Sequence, residues 1–535
     1  MEKIVKRKIL VIGVLILFLG ASATLGASAA FTNGQMPAVM RQNIQAINQD
    51  LVGQTGIMGN VKISDNAGDD FNPHVTTTAH DQIVVVYEQE MDIFSKQVPV
   101  VFSADAGLTW TQAYLFDSID FTSGSGVLIH PDIIYNAPND LLFLTMIDPQ
   151  AEMYNNEMSF IPGDIASGGE ASWYGISGTG SENYIWASVA CSANDFFVLT
   201  TYDDASGPQI FGLGIFTYPD FEYPPGVGGF YFDGNSLFPC APADQIESCE
   251  SSSRLFFVFE SARDGAQKIA IKSETANEAL IESGEQQNAM DKYADIEQMP
   301  GEFLPGADGG RDPDVSASGN KVAVVYVQSG SVKCAVSTCG MEYAPGFSWT
   351  TTTIATGTAP AVYMLGNTVY VAYVDGGNVY VKTSSDGGAT WGAAEKKNDV
   401  DGKVSGDPGS VDLGNGACVW VDTRDGNKDI YFAAGGGGAV ANVVVDSISG
   451  GMGVSAVLKN TGKADATNFA WSIKSDGTVF VGKEKSGTAT LAAGASTTVK
   501  TGLMLGIGAI TITVTADTAV KTAEAKILLF FVTGL

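Results

Sequence analysis

Seven times along the chain, a short run rich in Val, Tyr and Phe ends on a carboxylate or amide side chain. The runs are IVVVYE (Ile83 to Glu88), LFLTMID (Leu142 to Asp148), FVLTTYD (Phe197 to Asp203), LFFVFE (Leu255 to Glu260), VAVVYVQ (Val322 to Gln328), VYVAYVD (Val369 to Asp375) and ACVWVD (Ala417 to Asp422). β-Branched and aromatic residues in runs of this length favour strands. Each run follows a unit start near Pro73, Pro131, Ala187, Pro242, Pro313, Pro360 or Pro408. A supersecondary unit that recurs this often must stack on its neighbours to bury its apolar faces, so the fold is expected to be repetitive and all-β. The interval from Pro242 to Pro313 carries a long polar insert with some helical character, so six units remain the alternative to seven.

Two eight-residue stretches share a second pattern. Ser103 to Trp110 reads SADAGLTW and Ser384 to Trp391 reads SSDGGATW, both S-x-D-x-G-x-T-W. The Asp can accept backbone N–H groups, Gly permits a positive φ, and Trp can cover the end of a hairpin. Ser103, Asp105, Gly107 and Trp110, with Ser384, Asp386, Gly388 and Trp391, are therefore structural turn residues. The pattern resembles the Asp box, or BNR repeat, of sialidase-like β-propellers, which implies a β-propeller with these turns on one rim, and the seven recurring units suggest seven blades.

Of 535 residues, 63 are Gly and only 16% are charged, a composition of short strands and tight turns rather than long solvated helices. A formal charge of −30 repels a phosphate backbone, so nucleic acid is not an expected partner. The same acidity favours solubility and admits divalent cations. No cofactor is expected beyond weak calcium binding at the acidic stretch Asp65 to Asn72, whose spacing is not that of an EF-hand loop.

Residues 1–29 place Lys3, Lys6, Arg7 and Lys8 before the apolar run Ile9 to Leu19 and an A-x-A site at Ala27-Ser28-Ala29. This is an export signal, either cleaved or retained as an anchor, and it predicts an extracellular, secreted or membrane-anchored body. Residues 30–56 form a lead, with helical spacing of Val39, Ile44, Ile47 and Leu51. The propeller is expected over 57–434, with the lone strand near Val61 pairing with Asp429 to Ala434 to close the ring. Gly435 to Gly438 is a linker. Residues 439–535 alternate like an immunoglobulin-like β-sandwich, with turns at Asn460-Thr461-Gly462 and Asp476-Gly477 and a last strand at Ile527 to Val532. VLKNTGKADATNFAWSI and LAAGASTTVKT in this part resemble CARDB-type surface domains. Proximity in an exported chain favours disulfides Cys240–Cys249 and Cys334–Cys339, with Cys191 and Cys418 as buried thiols.

The propeller resemblance places the ends of the second strands on one rim. Glu88, Asp148, Asp203, Glu260, Asp375 and Asp422 would meet there, either as a ring around a channel or as caps of their own turns. Arg263, Arg311 and Arg424, three of the five arginines after the leader, belong to the same rim, and an arginine fork suits carboxylates. The sialidase family's F-R-I-P opening reads Phe71-Asn72-Pro73-His74 here, so the first arginine of its substrate clamp is missing. A metal site of His74, His130 and Asp132 is the weaker option beside histidines that satisfy turns. The leading expectation is a non-catalytic surface protein that binds carbohydrate or another surface protein. The alternative is a sialidase-like glycoside hydrolase in which Glu260, Arg263, Arg311 and Arg424 act.

Overall fold

The structure, a computed structural model, describes strands at Leu10–Gly13, Ser28–Gln35 and Ala46–Ile47 and then residues 60–535. Outside the description lie 65, 93–94, 118–126, 149–155, 170, 178–182, 192–194, 205–206, 218–228, 233–245, 252–253, 262–266, 276–301, 339–347, 435–442, 461–464, 493 and 517–518. Seven antiparallel sheets follow one another along residues 61–434, six of them built on a four-strand core in chain order and the seventh on three such strands and one from the start of the propeller. Their first strands are Asp70–Thr77, Ile129–Asn136, Asn183–Cys191, Ile246–Ser251, Arg311–Ser318, Thr358–Leu365 and Val411–Gly414. Each of these touches the first strand of the next sheet, and Val411–Gly414 touches Asp70–Thr77, so the inner strands complete a circle. This is a seven-bladed β-propeller. Six blades are excluded, because the interval that holds the polar insert forms one sheet, from Ile246–Ser251 to Glu302–Asp308.

Strand faces explain why the second strands read as unbroken apolar runs rather than alternating ones. Each is covered on both sides by neighbouring blades. In the first blade Val84 and Val86 pack toward the second blade, whereas Ile83, Val85 and Tyr87 pack toward the seventh. In the fifth, Val322, Val324 and Tyr326 face the fourth, and Ala323, Val325 and Val327 face the sixth. Full burial of a Val or Phe contributes roughly 1.5–3 kcal/mol, so these seams hold the ring.

The seventh blade has three strands of its own, ending at Asp429–Ala434. Val61–Lys62 supplies the fourth, with Val61 opposite Phe432 and Lys62 opposite Tyr431. Ring closure therefore joins the two ends of the propeller as the sequence suggests. The lead differs from expectation. Ala46–Ile47 pairs with Trp110 and Thr111 as an edge strand instead of forming a helix. Leu10–Gly13 and Ser28–Gln35 add two strands outside the second blade. No helix among the described residues is long and apolar enough to cross a membrane. The polar insert lies outside the described residues apart from its first residue.

Both S-x-D-x-G-x-T-W stretches link a third strand to a fourth and repeat one hydrogen-bond network. The Ser103 hydroxyl donates to Asp105 at 2.7 Å and accepts the Gly107 N–H at 2.8 Å. Asp105 accepts the Thr109 N–H at 2.8 Å, and Trp110 Nε1 donates to the Gly107 carbonyl at 3.2 Å. Ser384, Asp386, Gly388, Thr390 and Trp391 do the same at 2.7, 2.8, 2.8 and 3.1 Å. Each turn leans on the blade before it. Trp110 meets Phe432 edge-on at 5.2 Å, and Gly388 lies against Val336.

Residues 443–533 form a two-sheet sandwich. Val443–Ser449, Ser455–Asn460 and Ser496–Lys500 face a five-stranded sheet across one core that includes Leu458, Ile473, Ile512 and Ile527. One expected turn and one expected strand are corrected. Asp476-Gly477 sits inside the 16-residue strand Ala466–Val481, where Gly477 at φ 115° makes a register shift rather than a reversal. The terminal run bends at Leu529, φ 55°, so Ala519–Leu529 and Phe531–Thr533 form a hairpin instead of one strand.

Gly107 at φ +90° tests the seam. A Cβ there would stand 2.0 Å from the Phe432 ring, whereas one at Gly376, φ +58°, would meet nothing within 4 Å. Gly107→Ala is expected to cost at least about 2 kcal/mol more than Gly376→Ala, because backbone strain is common to both and overpacking belongs only to the first. Denaturant unfolding of the two variants checks this, and equal losses would contradict the seam contact.

Candidate ligand-binding channel and rim

A cavity of about 300 Å³ runs between the inner strands and is lined by His74, Asp132, Glu247, Asp314, Tyr363 and Asp412, among others. The local backbone explains which side chains reach it. Asn72, His130, Asp312 and Ala359 each precede a Pro and have φ between 46° and 56°. Positive φ is uncommon for non-glycine residues and marks backbone strain held by its surroundings. In the first, fifth and sixth blades the register shifts at that point. The residues after Pro73, Pro131 and Pro313 then border the channel as His74, Asp132 and Asp314, whereas Ala361 after Pro360 joins the core between the sixth and seventh blades.

Three channel carboxylates tie blade to blade. Asp132 accepts the N–H of its own neighbour Ile133 at 2.7 Å and, from the third blade, the Val189 N–H at 2.8 Å and the Ser188 hydroxyl at 2.9 Å. Asp314 accepts from Val315 at 2.7 Å and from Val362 of the sixth blade at 2.6 Å. Asp412 accepts from Leu413 and, across the closure, from Val75 of the first blade, both at 2.7 Å. His74 Nδ1 lies 3.4 Å from Asp132 and 3.9 Å from Asp412. Burial raises Asp314 well above the usual carboxylate range, and Asp412 adds to the rise. Burial also pushes Asp412 up to about 6, against the pull of His74.

Glu260, Asp375 and Asp422 stand at or next to the last residue of their second strands, Asp148 follows its strand and Glu88 lies within Ile83–Asp92; several of them are already engaged. Glu88 is buried and accepts the His130 N–H of the second blade at 2.8 Å and Lys96 at 2.9 Å. Glu260 takes the equivalent N–H of Asp312 at 2.7 Å and also holds Gln267. Burial raises Glu260, and it pushes Asp312 up to about 7 with Glu260 adding to the rise. Asp422 is fully buried and accepts from Trp420 Nε1 at 3.1 Å and from Arg424 at 2.6 Å. Asp148 is buried, whereas Asp375 is exposed at the end of its strand. Asp203 lies on Asp195–Asp204, with its side chain outside the description.

The three arginines do not form a described clamp. Arg424 is held by Asp422 and Asp399 and stacks on Tyr431, 4.0 Å from the ring centre. Arg311 is exposed on the fifth blade. Arg263 lies outside the described residues. The histidines also separate, because His130 stacks on Trp186 at 4.1 Å and borders Glu88 rather than joining Asp132. Among the described residues no three His, Cys, Asp or Glu side chains form a metal-holding group. Cys334 is a buried free thiol, pushed up to about 12 by burial, and this corrects the expected bridge to Cys339. Its side chain belongs to the core between the fifth and sixth blades. Cys339 and Cys240 lie outside the described residues, and Cys249 is half-buried. Cys191 and Cys418 are buried as expected.

The latch role of Asp132, Asp314 and Asp412 emerges only in the folded ring. The Pro-Asp pairs Pro131-Asp132 and Pro313-Asp314 were the available signal.

No protein-family model matches the chain, and no curated protein matches it. Solved structures with similarity include a protein of unknown function from Dyadobacter fermentans, 11% identical over 70% of this chain and 96% of that one, TM-score 0.38. The Dos1 propeller is 10% identical over 75% and 91%, TM-score 0.34. The catalytic domain of a GH62 α-L-arabinofuranosidase from Coprinopsis cinerea is 12% identical over 55% and 94%, TM-score 0.27. The sheet order and inner-strand contacts, rather than these likenesses, define the fold.

Two outcomes follow from the latches and their titration. Asp412→Ala leaves the Val75 and Leu413 N–H groups without their acceptor, so a loss of about 2 kcal/mol in denaturant unfolding is expected. Asp412 and Asp312 hold protons in the folded chain up to about 6 and 7, whereas an unfolded Asp releases them near pH 4. Stability from this source therefore falls as pH rises from about 4 to 7. Asp386 has the opposite sign. Hydrogen bonds from Thr390 and Ser384 hold it at about 2, so its contribution is lost as pH falls below about 4. Scanning calorimetry should find the highest Tm near about pH 4 to 5, and a Tm that climbs steadily to pH 8 would contradict these assignments.

Proposed function

We propose that the chain is an exported propeller that binds carbohydrate or a surface-protein ligand at the second-strand rim without chemical turnover. The sandwich after it is a CARDB-like, immunoglobulin-type spacer, and the turns with Asp105 and Asp386 are Asp boxes of the sialidase-like kind. One observation carries the non-catalytic reading. Glu88, Glu260 and Asp422 spend their oxygens on backbone N–H groups and on Lys96, the Gln267 amide and Arg424 respectively, and Arg424 is held by two aspartates. A general acid or base must instead be within reach of substrate and free to move a proton. Exposed Asp375 and Arg311 remain available for contact on that rim.

A sialidase-like glycoside hydrolase is the second reading, favoured by Glu260 and Asp312. These are adjacent carboxyls, both raised by burial, beside Arg311. Glycosidases use such a raised acid with a second carboxylate. The purified chain should be applied to a glycan array, to a surface-protein panel and to fluorogenic glycosides. Retention without hydrolysis is expected, with Arg311→Ala weakening it about tenfold through loss of a charge-assisted contact. Hydrolysis that disappears in Glu260→Ala would establish the enzyme instead.

A further inference from the structure

Where the ring closes, the segment before the first inner strand folds against residues 427–430 of the seventh blade. The Asp70 N–H donates to the Lys428 carbonyl and the Lys428 N–H to Asp69 Oδ1, both at 2.8 Å. The Ser64 hydroxyl accepts the Ile430 N–H at 3.0 Å. Asn427 Nδ2 donates to the Gly68 carbonyl at 2.7 Å and to Asp429 Oδ1 at 3.1 Å. Lys62 reaches the same Asp429 oxygen at 2.8 Å. Asn66 spends its amide nitrogen on the Glu90 carbonyl at 2.9 Å.

After these bonds, four buried oxygens have no hydrogen-bond partner. They are both carboxylate oxygens of Asp70, Oδ2 of Asp429 and Oδ1 of Asn66. Asp70 and Asp429 are both 0% exposed. The Asp70 carboxylate lies beside the Ser64 and Asn66 side chains and near Asp429. Every one of the four is an acceptor: the Asn66 amide is spent on Glu90, and the one hydroxyl beside Asp70, that of Ser64, reaches Asp429 Oδ1 at 3.5 Å. A buried acceptor without a donor costs free energy, and two buried carboxylates side by side cost more. A hard cation removes both penalties, because calcium takes six to eight oxygens from carboxylates, amide carbonyls and water.

We propose that Asp70, Asp429 and Asn66 form the oxygen site of a calcium-class divalent cation that fastens the closing segment to the seventh blade. Ser64 and water complete the coordination. Lys62 stays on the far oxygen of Asp429 and balances charge without entering the site. Magnesium, which demands a near-ideal octahedron and dehydrates reluctantly, fits this set less well. The site differs from the three-carboxylate or histidine groups of common metal centres, since it uses two carboxylates and an amide.

The competing occupant is a proton, which would leave Asp70 neutral and able to donate to Asn66. Calorimetric titration of CaCl₂ into the full chain, stripped with a chelator and held at about pH 7.5, separates the two. Wild type should bind one calcium more tightly than about 1 mM, with a Tm rise of about 3 °C or more at saturation. Asp70→Asn should bind at least about tenfold more weakly, while its Tm in chelator equals or exceeds that of wild type because a buried charge is gone. Saturable binding that is unchanged in Asp70→Asn would overturn the assignment. If that variant does not fold, wild type decides alone: no saturable heat up to about 10 mM calcium would assign the site to a proton.

Discussion

The propeller depends on carboxylates that accept a backbone N–H from the neighbouring blade. Asp132, Asp314 and Asp412 make this bond on the channel side, and Glu88 and Glu260 make it at the rim. Apolar packing between blades is large but non-directional, so it does not by itself fix how far one sheet slides past the next. A charge-assisted bond from a fixed oxygen to one particular N–H does. Asp412 to Val75 has special weight, because it joins the last blade to the first across a sequence separation of 337 residues.

The latch accounts for the positive φ values before the inner prolines. With φ near +50°, His130 and Asp312 direct their N–H groups to Glu88 and Glu260 instead of to a strand partner. The strain and the bulge are sustained by the bonds they permit. The result is a channel in which Asp132, Asp314 and Asp412 each bond to a backbone N–H of the next blade.

Much of the fold was legible in the sequence because strands covered on both faces leave continuous apolar runs, and all seven runs are second strands of blades. The twin turns were legible because Ser, Asp, Gly, Thr and Trp each make a local bond within eight residues. Closure at Val61 was legible as an unpaired edge awaiting a strand. The candidate site was less so. Arg424 reads as a substrate ligand until Asp399, which no local pattern links to it, is seen beside it. Asp70, Asn66 and Asp429 come from segments some 360 residues apart, and only the folded ring brings their free oxygens together. Asp476-Gly477 has the composition of a turn, but its pairing with Thr511 and Ile510 of the neighbouring strand overrides that local preference.

Closure of the ring by the segment around Val61 is the claim on which the latches, the channel and the rim all rest. Hydrogen–deuterium exchange measures it without altering a residue. Peptides covering 60–64 and 429–432 should exchange slowly and open together as one cooperative unit, because Ile63 donates to the Ile430 carbonyl within the same sheet. Rapid exchange of 60–64 beside a protected 429–432 would mean that the seventh blade is complete without that strand, and the account of closure would fail.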